Sequence, residues 1–198
     1  MKTIAIDIDN VLAASAEGLV AISNQLFGSH MTINDFGEDW SKMWGVDHKE
    51  AERRGEVLRE NKYQKDYLPV DGAAQVINEL GKRYKLVLVT SRSKKVEELT
   101  RNWLKQYFSY PFDIIVFADF WDDPKNSKDG HLQHKGDLFT QVGADIVIDD
   151  QLKHCEAAAK AGVQAILFGD YAWNQTNELP DGIIRYKDWP EILEELVR

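Results

Sequence analysis

The sequence predicts an α/β fold built on a doubly wound parallel sheet, with a small helical cap inserted after the first strand. Three observations carry this. Five short apolar runs lack the alternation of half-exposed strands, as expected for parallel strands covered on both faces. Helical periodicity fills most of the gaps between them, which implies βαβ units. Acids and hydroxyl residues gather at the ends of these runs: Asp7 and Asp9, Thr90 and Ser91, Asp149 and Asp150.

The first run is "TIAIDID" (3–9), with Asn10 after it. About 75 residues separate it from the second strand, far more than a crossover helix needs. Within that gap "SAEGLVAISNQLFG" reads as a helix with Leu19, Ile22 and Leu26 on one face. "DHKEAERRGEVLRENKYQ" reads as a second helix, opened by a capping box of Asp47 and Glu50. Between them lies "INDFGEDWSKMWG". These residues define an expected cap over 14–68, a lid on the end of the first strand, with the core formed by 1–13 and 69–198.

The core then resumes. "GAAQVINELGKRY" sets Ala73, Val76, Ile77 and Leu80 on one face and stops at Gly81. The second strand is "KLVLVTS" (85–91), followed by a helix with Val96, Leu99, Trp103 and Tyr107 in one stripe. "DIIVFAD" (113–119) is the third strand, and the polar loop "WDDPKNSKDGHLQH" (121–134) follows it. His131 and His134 in that loop match no metal-ligand spacing and read as exposed loop residues. "KGDLFTQVG" and "LKHCEAAAKAG" are helices ending at Gly143 and Gly162, on either side of the strand "ADIVIDD" (144–150). Cys155 on the Ala-rich helix reads as a small core residue. "QAILFGD" (164–170) is the fifth strand and "GIIRY" (182–186) an additional sixth. The last helix opens with Asp188 as N-cap, Pro190 in its first turn and Glu191 completing a capping box.

Composition narrows the function. Of 198 residues, 43% are apolar, enough for a real core. The net charge of -9 argues against a nucleic-acid polymer as partner, since backbone binding needs basic surface. It leaves small anionic substrates open, because a bound cation inverts the local field. The single cysteine excludes a disulfide framework. No run approaches a membrane span or a signal peptide, so the expected location is cytoplasmic, away from any membrane.

Ligands of doubly wound sheets bind where the strands' carboxyl ends meet a switch in strand order. Asp7 and Asp9, two apart, can face one crevice there. An unpaired buried carboxylate costs several kcal/mol, and several together repel one another. A hard cation such as Mg²⁺ resolves this, held by carboxylates and completed by water or phosphate oxygens. Thr90 and Ser91 offer hydroxyl donors to phosphate. Lys135 is the best candidate for the balancing cation, with Lys94 and Lys95 as alternatives.

Here the sequence resembles the haloacid dehalogenase-like (HAD) phosphohydrolases. "DIDNV" matches their D-x-D first motif, "VTSR" their second, "HKGD" their lysine-bearing third and "IVIDD" their acidic fourth, in the family's order across nearly the whole core. The insertion after strand one corresponds to a C1-type cap, and the nearer resemblance is to the 5'(3')-deoxyribonucleotidase group. The resemblance implies a Rossmann-like core and a Mg²⁺-dependent phosphomonoesterase working through an aspartyl-phosphate. Asp7 would be the nucleophile and Asp9 the general acid and base. Asp7, Asp9 through its backbone carbonyl, and Asp149 would hold Mg²⁺, with Asp150 behind them. Thr90, Ser91 and Lys135 would bind the phosphate.

Selectivity then falls to the cap. Trp40 and Trp44, four apart, share a face if their loop is helical. They and Phe36 either stack on a nucleobase or form the cap's own core. The expected substrate is a small phosphorylated metabolite, with a nucleoside monophosphate first and a sugar or other small organic phosphate second. Phosphotransfer to a sugar is a further option. A receiver-like regulatory domain uses similar residues but has no cap and carries its acidic pair early. A non-catalytic binding protein would not need both Asp7 and Asp9.

Overall fold

The structure, a computed structural model, describes residues 1–60, 62–118 and 135–198. His131, His134, the loop 121–134 around them and Asp119 lie outside the described residues. Among the described residues, six strands form one parallel sheet: β1 (Thr3–Ile6), β2 (Lys85–Thr90), β3 (Ile115–Phe117), β4 (Ile146–Asp149), β5 (Gln164–Phe168) and β6 (Ile183–Tyr186). Their order is β3-β2-β1-β4-β5-β6. This is the doubly wound α/β arrangement, including the sixth strand. The direction of winding reverses beside β1, so the β1/β4 boundary is the switch point.

Alternate strand residues feed two cores, because successive side chains point to opposite faces. Ile4, Ile6, Leu86, Leu88, Ile146 and Ile148 pack on one side. That side is covered by α4 (Ala73–Leu80), α5 (Glu97–Tyr107) and α8 (Trp189–Val197). Ala5, Val87, Val89, Val147 and Leu167 pack on the other, against α6 (Lys135–Gln141) and α7 (Leu152–Lys160). Cys155 is buried in this second layer, as read. Beyond Lys85 at the start of β2 and Gln164 at the start of β5, the central strands are buried, which is why their sequences do not alternate.

Local predictions hold with instructive exceptions. The backbone pairing of β1 ends at Ile6 rather than Asp9, and the third strand keeps only Ile115–Phe117. In α5 the buried residues are Thr100, Trp103 and Leu104, with Leu99 only half-buried. Thr100 is on the buried face, where it receives the Arg92 side chain from the loop after β2. At α8, Asp188 accepts from Glu191 N–H at 3.0 Å, but the Glu191 carboxylate accepts from Lys187 N–H, one residue before the cap.

Between β1 and β2 lie α1 (Ser15–Phe27), α2 (Trp40–Trp44) and α3 (His48–Glu60). They share a small cluster of Leu19, Met43, Trp44, Ala51 and Leu58. Leu26, expected inward, is 43% exposed, because the inward face of α1 runs through Ala16, Leu19, Val20 and Ser23. Asp47 caps α3 by accepting from Glu50 N–H at 2.9 Å. The reciprocal half of the box is missing, because the Glu50 carboxylate turns to Arg53 and Arg54.

Candidate active site

The parallel register builds the site. Ile6 stands level with Ile148, so the next residues, Asp7 and Asp149, leave adjacent strands at the same height. The Asp7 N–H still donates to the Ile148 carbonyl at 2.9 Å, which fixes that level. Ile6 is also level with Leu88, and Thr90 closes β2 two residues on. The chain then turns sharply at Asn10, whose φ of 60° lies in the left-handed region that Asn tolerates. Asn10 Oδ1 accepts from Ser15 Oγ and Ala16 N–H, and its Nδ2 donates to Asp150 at 3.3 Å. One side chain thus ties the turn to the start of α1 and to β4.

Two acid–base assemblies face each other across this rim. In the first, Lys135 Nζ lies 2.9 Å from Asp7 Oδ1 and 2.7 Å from Asp149 Oδ2, all three side chains nearly solvent-free. Asp149 also accepts from Gln151 N–H at 2.9 Å and meets His154 Nδ1 at 3.0 Å. Burial would lift the Asp149 carboxyl, but His154 and Lys135 outweigh it and hold it well below its ordinary value. Burial would lower Lys135, and Asp149 and Asp7 instead raise it. Asp7 is shifted upward by burial, with Lys135 opposing and Asp149 and Asp9 adding to the rise.

In the second assembly, Arg92 grips Asp9. Its Nε and Nη2 donate to Asp9 Oδ2 and Oδ1, each at 2.8 Å, and its Nη1 donates to Thr100 Oγ1 at 3.2 Å. The Arg92 backbone N–H also donates to Thr90 Oγ1 at 3.2 Å. Burial would raise Asp9, but Arg92 reverses this and keeps it below its ordinary value.

The sequence-derived candidates divide accordingly. Asp7, Asp9, Thr90, Lys135, Asp149 and Asp150 come together at the rim. Ser91 sits half-buried on the loop after β2. Lys94 and Lys95 are exposed on a short 3-10 turn, so the position beside Asp7 belongs to Lys135. Trp44 is 8% exposed in the cluster of the inserted helices, edge-on to Phe27, and donates from Nε1 to Ser23 Oγ at 3.1 Å. Trp40 packs on Trp44 and lies so close to α3 that a Cβ at Gly55 would sit 2.7 Å from its ring. Both tryptophans therefore fill the core of the inserted segment. Phe36 packs against the same cluster and also reaches the sheet domain, where it contacts Trp173 at 4.7 Å between centroids.

Sequence reasoning missed Arg92, Asn10, His154 and Trp173. Trp173 Nε1 donates to Asp150 Oδ2 at 2.7 Å while its ring stacks on Tyr171. Its only signal in the sequence was its place just past the fifth strand's end. Arg92 stood inside "VTSR", but a lone arginine is ordinarily a surface charge.

The donor set suits a hard cation. Asp7, Asp149 and Asp150 offer carboxylate oxygens all within 4.8 Å of one another. Asp7 Oδ1 is buried with no aligned hydrogen-bond donor, despite its ion-pair contact with Lys135. Asp150 is pushed well above its ordinary value by burial and by Asp149 and Asp7. Asp7 and Asp150 are thus carboxylates short of positive charge, and all three acids present only oxygen.

Residues 1–121 match the family described as 5' nucleotidase, deoxy (pyrimidine), cytosolic type C, more than half of the chain. The chain belongs to this family. It is accordingly a phosphatase of the HAD-like superfamily. Two relatives, from Halalkalibacterium halodurans and Bacillus subtilis, both carry the name "Putative nucleotidase". Each is 25% identical, over 96% of this chain and 90% of the first relative, and over 98% and 93% for the second. A haloacid dehalogenase-like hydrolase from Streptococcus pneumoniae shares the fold with a TM-score of 0.69 at 17% identity, covering 99% of this chain and 98% of its own. The family match spans the first two motifs and the inserted helices. Lys135, Asp149 and Asp150 lie beyond it, and their place rests on the geometry above. No helix among the described residues is long and apolar enough to cross a membrane.

Proposed function

We propose that the protein hydrolyses a small phosphomonoester, with a nucleoside monophosphate as the preferred substrate, through an aspartyl-phosphate on Asp7. The observation that carries this reading is Asp7 itself. It is a buried carboxylate at the switch point, with Lys135 2.9 Å from its Oδ1. In the first half-reaction an Asp7 oxygen attacks phosphorus, the bond to the ester oxygen breaks, and Asp9, which must first take up a proton against the pull of Arg92, delivers it to that oxygen. In the second, Asp9 takes a proton from water as the water attacks the same phosphorus, which frees Asp7 and releases phosphate. Asp9 has the most open of the rim's charged side chains, one-third exposed, as a group that meets both leaving oxygen and water must. Lys135 and the Thr90 hydroxyl stabilise charge on the phosphoryl oxygens.

Mg²⁺ is the cation that suits this oxygen-only set. The residues that would hold it are Asp7, the backbone carbonyl of Asp9 and the Asp149–Asp150 pair. Asp149 is committed to Lys135, Gln151 and His154, whereas no described hydrogen bond reaches Asp150 Oδ1. Asp150 therefore offers the freer oxygen, a change from the expectation that Asp149 leads. Bound there, the cation supplies positive charge to the phosphate and offsets repulsion among the carboxylates.

Family membership and the relatives' names support a nucleotide. So does the aromatic group Phe36–Trp173–Tyr171, which touches Asp150 through Trp173. The inserted helices act as the lid, and the substrate is a small metabolite in the cell interior rather than a nucleic acid. Release of phosphate from a panel of nucleoside monophosphates, sugar phosphates and glycerol phosphate, with Mg²⁺ and with EDTA, tests this. Nucleotides should lead, and EDTA should abolish turnover. Equal kcat/KM for all of them would decide for a general small-phosphate hydrolase.

A further inference from the structure

Among the described residues, Lys135 and Arg92 are the buried cations of the rim, and Arg92 has no part in the two half-reactions above. Its guanidinium is 3% exposed, and four of its contacts are satisfied: both Asp9 oxygens, Thr100 Oγ1 and, through its backbone, Thr90 Oγ1. A bland role as a strut between the ends of β1 and β2 is poorly motivated by energy. A buried ion pair is often no more stabilising than apolar residues of the same volume. What a two-pronged guanidinium does supply is orientation, because its planar fork fixes both carboxylate oxygens at once.

Arg92 is itself anchored to α5 through Thr100, while the Asp9 side chain it grips keeps 33% of its surface exposed. The carboxylate is held by both oxygens and is still reachable from solvent. Asp9 lies past the end of β1 at Ile6, in a turn whose own backbone bridges Asp9 to Ala13, so no neighbouring strand of the sheet aims its side chain. An acid–base group must lie within hydrogen-bond reach of the proton it moves.

We infer that Arg92 is the positioning residue of the reaction: it holds Asp9 aimed at the leaving oxygen, with Thr100 holding Arg92 in turn. The inference rests on the proposed acid–base role of Asp9, and its test separates the two. The informative quantity is kcat/KM, which reports steps up to departure of the leaving group. The two substrates are a nucleoside monophosphate, with a poor alkoxide leaving group, and p-nitrophenyl phosphate, whose leaving group needs little protonation.

Asp9→Asn should lower kcat/KM for the nucleotide on the order of 10²–10⁴-fold and for p-nitrophenyl phosphate far less. Arg92→Lys, which keeps the charge but loses the fork, should reproduce that discrimination. It should add nothing in the Asp9→Asn background. Methylguanidine should restore nucleotide turnover to Arg92→Ala. Thr100→Val, nearly isosteric, should show the same discrimination at smaller size, and it serves if the arginine variants fail to fold. Equal losses for both substrates in a folded Arg92→Lys or Thr100→Val protein, or additivity with Asp9→Asn, would overturn the inference and leave Arg92 a strut. Absence of discrimination in Asp9→Asn itself would instead remove Asp9 from acid–base work, and the role of Arg92 with it.

Discussion

The strand-end rim and the inserted helices both bury unusual side chains, but of opposite kinds. The rim buries charge: Asp7, Arg92, Lys135, Asp149 and Asp150 are each 7% exposed or less. The insertion buries uncharged apolar side chains: Trp44, Met43 and Leu19, with Trp40 and Phe27 packed against them. Charge out of water persists only where partners and geometry are fixed, so the rim is held by a register that five parallel pairings impose. The insertion is held by a small apolar cluster, and only side-chain contacts such as Phe36–Trp173 and Glu38–Lys153 are seen to tie its connecting loop to the strand-end side. The difference teaches where function is tolerant: the rim should fail chemically on single changes, the insertion should fail by losing stability or affinity.

The largest effect expected is at Asp7. Asp7→Asn keeps the shape but removes the nucleophile and a cation ligand, so kcat should fall far below a tenth of wild type. The metal-free fold should survive, and gain stability if anything, because like charges repel at close range. Thermal unfolding with EDTA and phosphate release check both halves. Next comes Lys135→Ala, which strips the counter-charge from Asp7 and Asp149. Loss of one partner from a buried pair costs about 3–5 kcal/mol, and loss of an electrostatic stabiliser costs about 10²–10³ in kcat. Lys94→Ala and Lys95→Ala should leave kcat within a few-fold of wild type, and the reverse ranking would displace Lys135 from its role.

The insertion gives smaller and different effects. Trp44→Ala should cost about 3–5 kcal/mol in chemical denaturation, as for other buried tryptophans. It should leave KM for p-nitrophenyl phosphate nearly unchanged. Phe36→Ala, by contrast, should raise KM for the nucleotide by about 1–3 kcal/mol of lost stacking, with a smaller loss of stability than Trp44→Ala because the ring is only half-buried. A large KM effect from Trp44→Ala and none from Phe36→Ala would return base recognition to the Trp40–Trp44 face. The smallest effect belongs to Lys153→Ala. Its pair with Glu38 is roughly half exposed on both sides, and exposed pairs contribute about 0.2–1 kcal/mol. A change in KM that fades with added salt is the expected trace.

How far the sequence revealed this molecule follows the same division. Parallel strands buried on both faces leave a continuous apolar run, so β1, β2, β4 and β5 were legible, as were the carboxylates standing at their ends. Lys135 could be nominated because it lies shortly before the acidic strand, though only the fold decides it over Lys94 and Lys95. Arg92 was not legible, since its partner is 83 positions away and no local pattern marks a guanidinium that turns inward. Trp173 was hidden for the same reason. Within the insertion, helical spacing located the elements but misjudged Leu26, because the apolar stripe of a short helix does not say which flank meets its neighbours. Trp40 and Trp44 do share a helix, yet that spacing serves a core as well as a ligand.

The proposed mechanism requires a covalent bond between Asp7 and phosphorus. Wild-type protein turning over a nucleoside monophosphate with Mg²⁺, quenched in acid and treated with borohydride, tests it most directly. Borohydride reduces an acyl phosphate to the alcohol, so peptide mass spectrometry should find homoserine at position 7 and nowhere else, and none in Asp7→Asn. Turnover with Asp7 unmodified under conditions that trap other acyl phosphates, or modification at Asp9 or Asp149 instead, would contradict it.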